Sequence, residues 1–109
     1  MTCHSVAGHS LNLVETAILA KCILEEAWTN CLRAVEHRCK MQYISQTERI
    51  ILEDMYTSFF YDAYYAPVKT ASHIDLLLLN TRKMLEMLKA MDEIAWRNIV
   101  SLNNYSAEK

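Results

Sequence analysis

Glycine and proline are almost missing. The 109 residues hold one of each, Gly8 and Pro67, against usual shares of about 7% and 5%. Phosphate cradles, tight hairpin turns and nucleophile elbows need glycine where φ is positive or where backbone approaches a ligand closely. With Gly8 placed in a small, polar N-terminal stretch, those chemistries have almost nowhere to sit. Long apolar runs are missing too: no stretch reaches the roughly 18 uncharged residues of a membrane-spanning helix. There is also no excess of one charge. The net charge is −2 with acidic and basic residues intermixed, so no long-range field gathers a polyanion or an anionic membrane. Neither nucleic acid nor membrane is expected as a partner. Arg33, Arg38, Lys40 and Arg49 give local basicity, but Glu36 and Glu48 interrupt it, and a solvated helix face accounts for it.

The first residues, Met1 to Ser10, lack a basic region followed by an apolar core, so a secretory leader is not expected. Four cysteines without such a leader read as reduced thiols in the cytoplasm. Cys22 and Cys31 fall in a helical apolar pattern and are expected in the core, the usual fate of an unoxidised cysteine. Cys39 has charged neighbours.

What is present is helical periodicity over most of the chain, at a length that fits one domain of about 100–150 residues. The predicted layout is a flexible tail over 1–9, one helical domain over 10–102 and a fraying tail over 103–109. Ser10 is a plausible N-cap for a first helix running from Leu11 to about Met41. Glu15 sits early in it and Arg38 and Lys40 late, as the helix dipole prefers. Alternating steps of four and three give a seam of mostly small residues, Leu13, Ala17, Ala20, Leu24, Ala27, Cys31 and Ala34, which lets a neighbouring helix come close. Lys21, Glu25, Arg33, Glu36 and Lys40 lie on the opposite face.

Ser45-Gln46-Thr47-Glu48 has the spacing of a capping box and opens a second helix. This helix should stop near Tyr65, because the residue before Pro67 disfavours the helical region. A third begins after Thr70 or Ser72 and reaches about Leu102, with Leu77, Thr81, Met84, Leu88, Met91, Ala95 and Leu102 on one seam. Lys89–Glu93 and Glu93–Arg97 lie outside it as i,i+4 pairs. The expected fold is all-α, an antiparallel three-helix bundle with two long outer helices.

In such a bundle a middle helix of about 30 Å pairs with the C-terminal end of a first helix of about 45 Å and falls short of its N-terminal end. The uncovered part is apolar, with Leu11, Leu13, Val14 and Ile18. At the start of the third helix, Leu76, Leu77, Leu78 and Leu79 encircle the axis, and a helix apolar all round is expected to be buried all round. Either a partner covers them, or the helix starts later or the leucines pack under the 66–72 loop.

The stretch Tyr56–Pro67 sits at this same end and holds six of the ten aromatic residues. A helical wheel puts Tyr56, Phe59 and Phe60 on the core face with Leu52 and Ala63. Tyr61 and Tyr65 point to the far side, with Tyr64 at the margin. Tyrosine joins a large apolar body to a hydroxyl that tolerates partial exposure, so it is enriched at interfaces. Any one of the three alone reads equally well as a surface tyrosine packed on its own helix.

Chemical sites are sparse. No Glu-x-x-His pair suits a dinuclear metal bundle. Cys31, His37 and Cys39 are the nearest zinc candidates, without a Cys-x-x-Cys pair, and His37 and Cys39 diverge by about 200° on one helix. The expected function is therefore non-catalytic. The chain reads as a helical protein–protein interaction module, an adaptor, chaperone-like subunit or inhibitor, whose bundle is completed by a second copy (a dimer) or another protein. The expected contact residues are Tyr61, Tyr64, Tyr65, Leu76, Leu78, Leu79, Leu11, Leu13, Val14 and Ile18, with no cofactor. One alternative is a bundle binding a small apolar ligand among Trp28, Met55, Tyr56, Phe59, Phe60, Met84, Met87 and Met91. Another is a small enzyme or metal-binding protein using His37 and Cys39.

Overall fold

A computed structural model describes residues 11–107, with side chains through Asn104. Three helices follow one another: α1 (Leu13–Lys40), α2 (Gln46–Tyr64) and α3 (Ala71–Ala107). No strand occurs among the described residues.

Each helix end has a local cause. Ser10, the expected first cap, lies outside the described residues, and Asn12 takes the role. Its Oδ1 accepts the Glu15 N–H at 2.8 Å and its Nδ2 donates to Glu15 Oε1 at 3.1 Å. This holds the early acidic residue in place where the positive end of the helix dipole favours it. At the other end, the amide of Tyr43 reaches back to Arg38 O at 2.8 Å and that of Gln42 to Cys39 O at 3.0 Å. These are the two bonds of a Schellman stop, in which the turning residue is left-handed and usually glycine. Here it is Gln42, with φ of 63°. A chain short of glycine thus ends its first helix on a strained glutamine.

α2 opens on the predicted capping box: Glu48 N–H donates to Ser45 Oγ at 3.1 Å and Ser45 N–H donates to Glu48 Oε1 at 2.8 Å. It ends at Tyr64, capped by Tyr65, as Pro67 requires. α3 starts where His73 folds back. The His73 N–H donates to Thr70 O, and its Nδ1 accepts the Lys69 N–H at 2.8 Å. α3 runs 37 residues, about 55 Å, and continues past the expected end at Leu102.

Two residue pairs set each alignment. Trp28 stacks on Phe60 and Lys21 lies over Tyr64, so α1 and α2 run antiparallel. Cys31 meets Met84 and Arg38 meets Asp92, so α1 and α3 run parallel. The three helices therefore go up, down and up around one buried cluster. The small seam of α1 works as expected. Ala17, Ala20, Leu24, Ala27 and Cys31 are buried, and the Cys31 thiol approaches Met84 O at 3.7 Å. Leu13 and Leu102 of the two seams are exposed, each lying beyond the end of the helices it would pack on.

Polar pins hold the alignment. Asn80 is buried and donates from Nδ2 to Phe59 O at 2.8 Å, and Asn98 donates to Tyr43 O at 2.7 Å. Trp28 Nε1 donates to Thr57 Oγ1 at 3.3 Å. Arg38 Nε pairs with Asp92 Oδ1 at 2.7 Å. On the outer face of α1, Glu36 and Lys40 form an i,i+4 ion pair at 3.1 Å. Lys89–Glu93 and Glu93–Arg97 are not among the ion pairs of the described residues. The body measures 63 × 27 × 20 Å.

Candidate functional site

The helix alignment leaves one end of the bundle incomplete. Tyr64, the last residue of α2, is level with Lys21, whose Nζ lies 5.3 Å from the ring centroid. Nothing in α2 reaches the first turns of α1, about 12 Å of helix from Leu13 to Ala20. Leu11, Leu13, Val14 and Ile18 are all exposed there, Val14 to 66%. Val14 and Ile18 stand four apart and share a face.

The leucine turn behaves differently from its expectation. α3 has already begun at Ala71, so the leucines do not precede the helix. Within one chain Leu77 alone is enclosed, at 0% exposure, while Leu76, Leu78 and Leu79 face solvent. The three do not form one patch, because Leu76 and Leu78 diverge by about 200° around the axis. Leu76 and Leu79, three apart, share a side; Leu78 shares another with exposed Leu85.

The aromatic residues divide by burial much as the wheel predicts. Tyr56 and Phe60 are buried, Phe59 and Tyr64 are half-buried, and Tyr61 and Tyr65 are exposed, Tyr65 to 71%. Their contacts, however, join what the wheel separates. Trp28 of α1 stacks on Phe60 with centroids 4.1 Å apart and planes 11° apart. Phe60 stacks on Tyr64 at 4.8 Å, Tyr64 meets Tyr65 edge-on at 5.1 Å, and Tyr65 meets Tyr61 at 5.7 Å. Tyr61 also closes back on Phe60 at 5.6 Å and on Trp28 at 6.2 Å, so the five rings form one connected ladder from the α1–α2 core to the surface. The stretch 56–67 does not reveal its anchor, since Trp28 comes from another helix. Burial, with Glu25 next, holds the Tyr64 phenol above its ordinary value.

The chain matches no family model, no characterised protein and no solved structure.

The residues considered for chemistry lie apart. His37 is exposed in the last turn of α1. Cys39 borders an open hollow with Leu32, Glu36, Lys40, Gln46, Arg49 and Glu53, where Arg49 is engaged by Glu53 Oε1 and Gln46 Oε1, both at 2.7 Å. No group of three or more metal-ligating side chains occurs among the described residues. Cys31 is sealed in the core, and burial pushes its thiol up to about 11. Cys22 is buried as expected but lies outside the core cluster.

The residues proposed to surround an apolar ligand pack largely on each other: Tyr56, Met84 and Met91 are fully buried, and Trp28 fills the space over Phe60. Met55 points to solvent. Burial also raises the Tyr56 phenol, whose hydroxyl has no hydrogen-bond partner. Among the described residues no helix is long and apolar enough to cross a membrane. Of the large exposed side chains that escaped the sequence reading, Trp96 on α3, at 65%, is the largest. Its only signal was its absence from the Leu77–Leu102 seam.

Proposed function

We propose that this protein is a non-catalytic helical interaction module, working in the cytoplasm as an adaptor, chaperone-like subunit or inhibitor. It recognises another protein, or a second copy of itself, by helix packing at the incomplete end of the bundle. The observation that carries this reading is the ring ladder Trp28–Phe60–Tyr64–Tyr65–Tyr61, which leads from the core to an exposed edge at the end of α2, level with Lys21 and about one turn of α1 short of exposed Ile18.

The physics of such a site is simple. A partner helix laid where α2 stops removes Val14 and Ile18 from water, each worth about 1.5–3 kcal/mol on full burial. Tyr61 and Tyr65 are already held against neighbouring rings, so they offer contact area at low cost in side-chain entropy. Their hydroxyls remain free to bond at a wet rim.

Affinity purification from the native source, comparing wild type with Tyr61→Ala/Tyr65→Ala, tests the reading. The expected result is loss of at least one partner with helicity unchanged. Recovery of every partner by the double variant would show that the tyrosine edge is not the binding surface.

A further inference from the structure

On its side away from the core, α3 carries a second stripe with alternating spacings of three and four: Leu79, Arg82, Glu86, Lys89, Glu93 and Trp96. At about 100° per residue these six keep to one side of the helix, opposite buried Leu77, Met84 and Met91. All six are exposed. The ion pairs of the described residues are Arg38–Asp92, Glu36–Lys40 and Arg49–Glu53, so none of the four charges of the stripe is held in an ion pair, and Arg82–Glu86 and Lys89–Glu93 stand one turn apart as opposite charges.

The order of the stripe is self-complementary. Between Leu79 and Trp96 its charges read plus, minus, plus, minus, with exposed Asp75 and Arg97 on the same side just beyond the two ends. Consider a second α3 laid antiparallel, with a two-fold axis passing between Glu86 and Lys89. Glu86 then faces Lys89 of the second copy, Arg82 faces Glu93 and Leu79 faces Trp96, and symmetry forms every pairing twice. A parallel, in-register arrangement sets each charge against its like, which selects the antiparallel one. The apolar ends also have a place to go. Leu76, Leu79 and Arg82 border an open hollow at the position where Trp96 of the second copy arrives, and tryptophan is an enriched anchor of such contacts.

We infer that the outer stripe of α3 is the contact of a two-fold homodimer with antiparallel α3 helices. This rests on the interaction reading above in naming a second copy as the occupant of the Leu79 side of the leucine turn; the tyrosine edge is left for other partners. The contact spans Leu79 to Trp96, about 26 Å of helix, and its exposed ion pairs weaken with salt.

Sedimentation of the full chain at high concentration and low salt tests it with two variants that keep the apolar ends. Arg82→Glu/Lys89→Glu makes the stripe wholly acidic, and Glu86→Lys/Glu93→Lys makes it wholly basic. Wild type should sediment as a dimer, and each variant as a monomer with its dissociation constant raised at least about 100-fold. An equimolar mixture of the two variants should restore a 1:1 dimer, because every pairing is again opposite in sign. Circular dichroism confirms that both variants stay helical. A monomeric wild type, variants that remain dimeric, or a mixture that stays monomeric would each overturn the inference. The Tyr61→Ala/Tyr65→Ala chain should still dimerise, and its loss of other partners is read separately by capture.

Discussion

At the scale of single residues the structure shows two costs that the chain carries. Gln42 occupies the left-handed region at φ 63° because no glycine stands at the turn after α1. That conformation costs a residue with a Cβ about 1–2 kcal/mol. Gln42→Gly should therefore stabilise the protein by about 1 kcal/mol, read as a higher urea midpoint with unchanged slope. No change would mean that the loop relaxes out of this conformation in solution. The second cost is titratable. Cys31 is raised from 9.0 to about 11 by burial, and Tyr56 moves in the same direction for the same first cause. Both bind their protons more tightly when folded than when unfolded. The stability this contributes is whole below about pH 9 and is lost as pH rises towards 11. A urea midpoint that falls over this window, and falls less in Cys31→Ala, is the expected result. None of this was legible beyond Cys31 and Tyr56 being in the core, since neither a positive φ nor an orphaned hydroxyl leaves a mark in composition or period.

At the scale of elements, the sequence was most readable where a signal is local. Ser45 and Glu48 needed no tertiary information to form their box, and Pro67 stopped α2 within two residues of the expected point. Ser45→Ala should cost about 1 kcal/mol and be seen in thermal or urea unfolding; a cost near zero would mean that Gln46–Glu48 are held by packing alone. The small seam of α1 was readable for a related reason: alanine and cysteine at steps of four and three specify a close approach without naming the neighbour. Longer-range features were hidden. Asn80 follows a run of four leucines and looks like the end of it, yet it is the pin from α3 to the Phe59 carbonyl. α3 passes Leu102 because nothing in Asn103–Ala107 breaks a helix, although those residues carry no apolar pattern to predict one.

At the scale of the whole molecule, unequal helix lengths decide what is left uncovered. α2 has 19 residues against 28 and 37 for its neighbours, so one end of α1 is bare at Val14 and Ile18, and Trp96 lies level with the loop after α1, where Asn98 meets Tyr43. The shortfall followed from counting residues. The wheel also gave the exposure of Tyr61 and Tyr65, but it missed the ladder to Trp28, because a wheel describes one helix and stacking joins two. The ladder packs the tyrosine edge onto the core, and this contact is what supports the proposal that recognition happens there.

The most direct test is a photo-crosslinking residue placed at Tyr65, with a control at exposed Asp54, three turns away on the same face of α2, irradiated in the native source. A covalent adduct to a discrete protein is expected from position 65 and none from position 54. No adduct at 65, or the same adducts from both positions, would contradict the proposal.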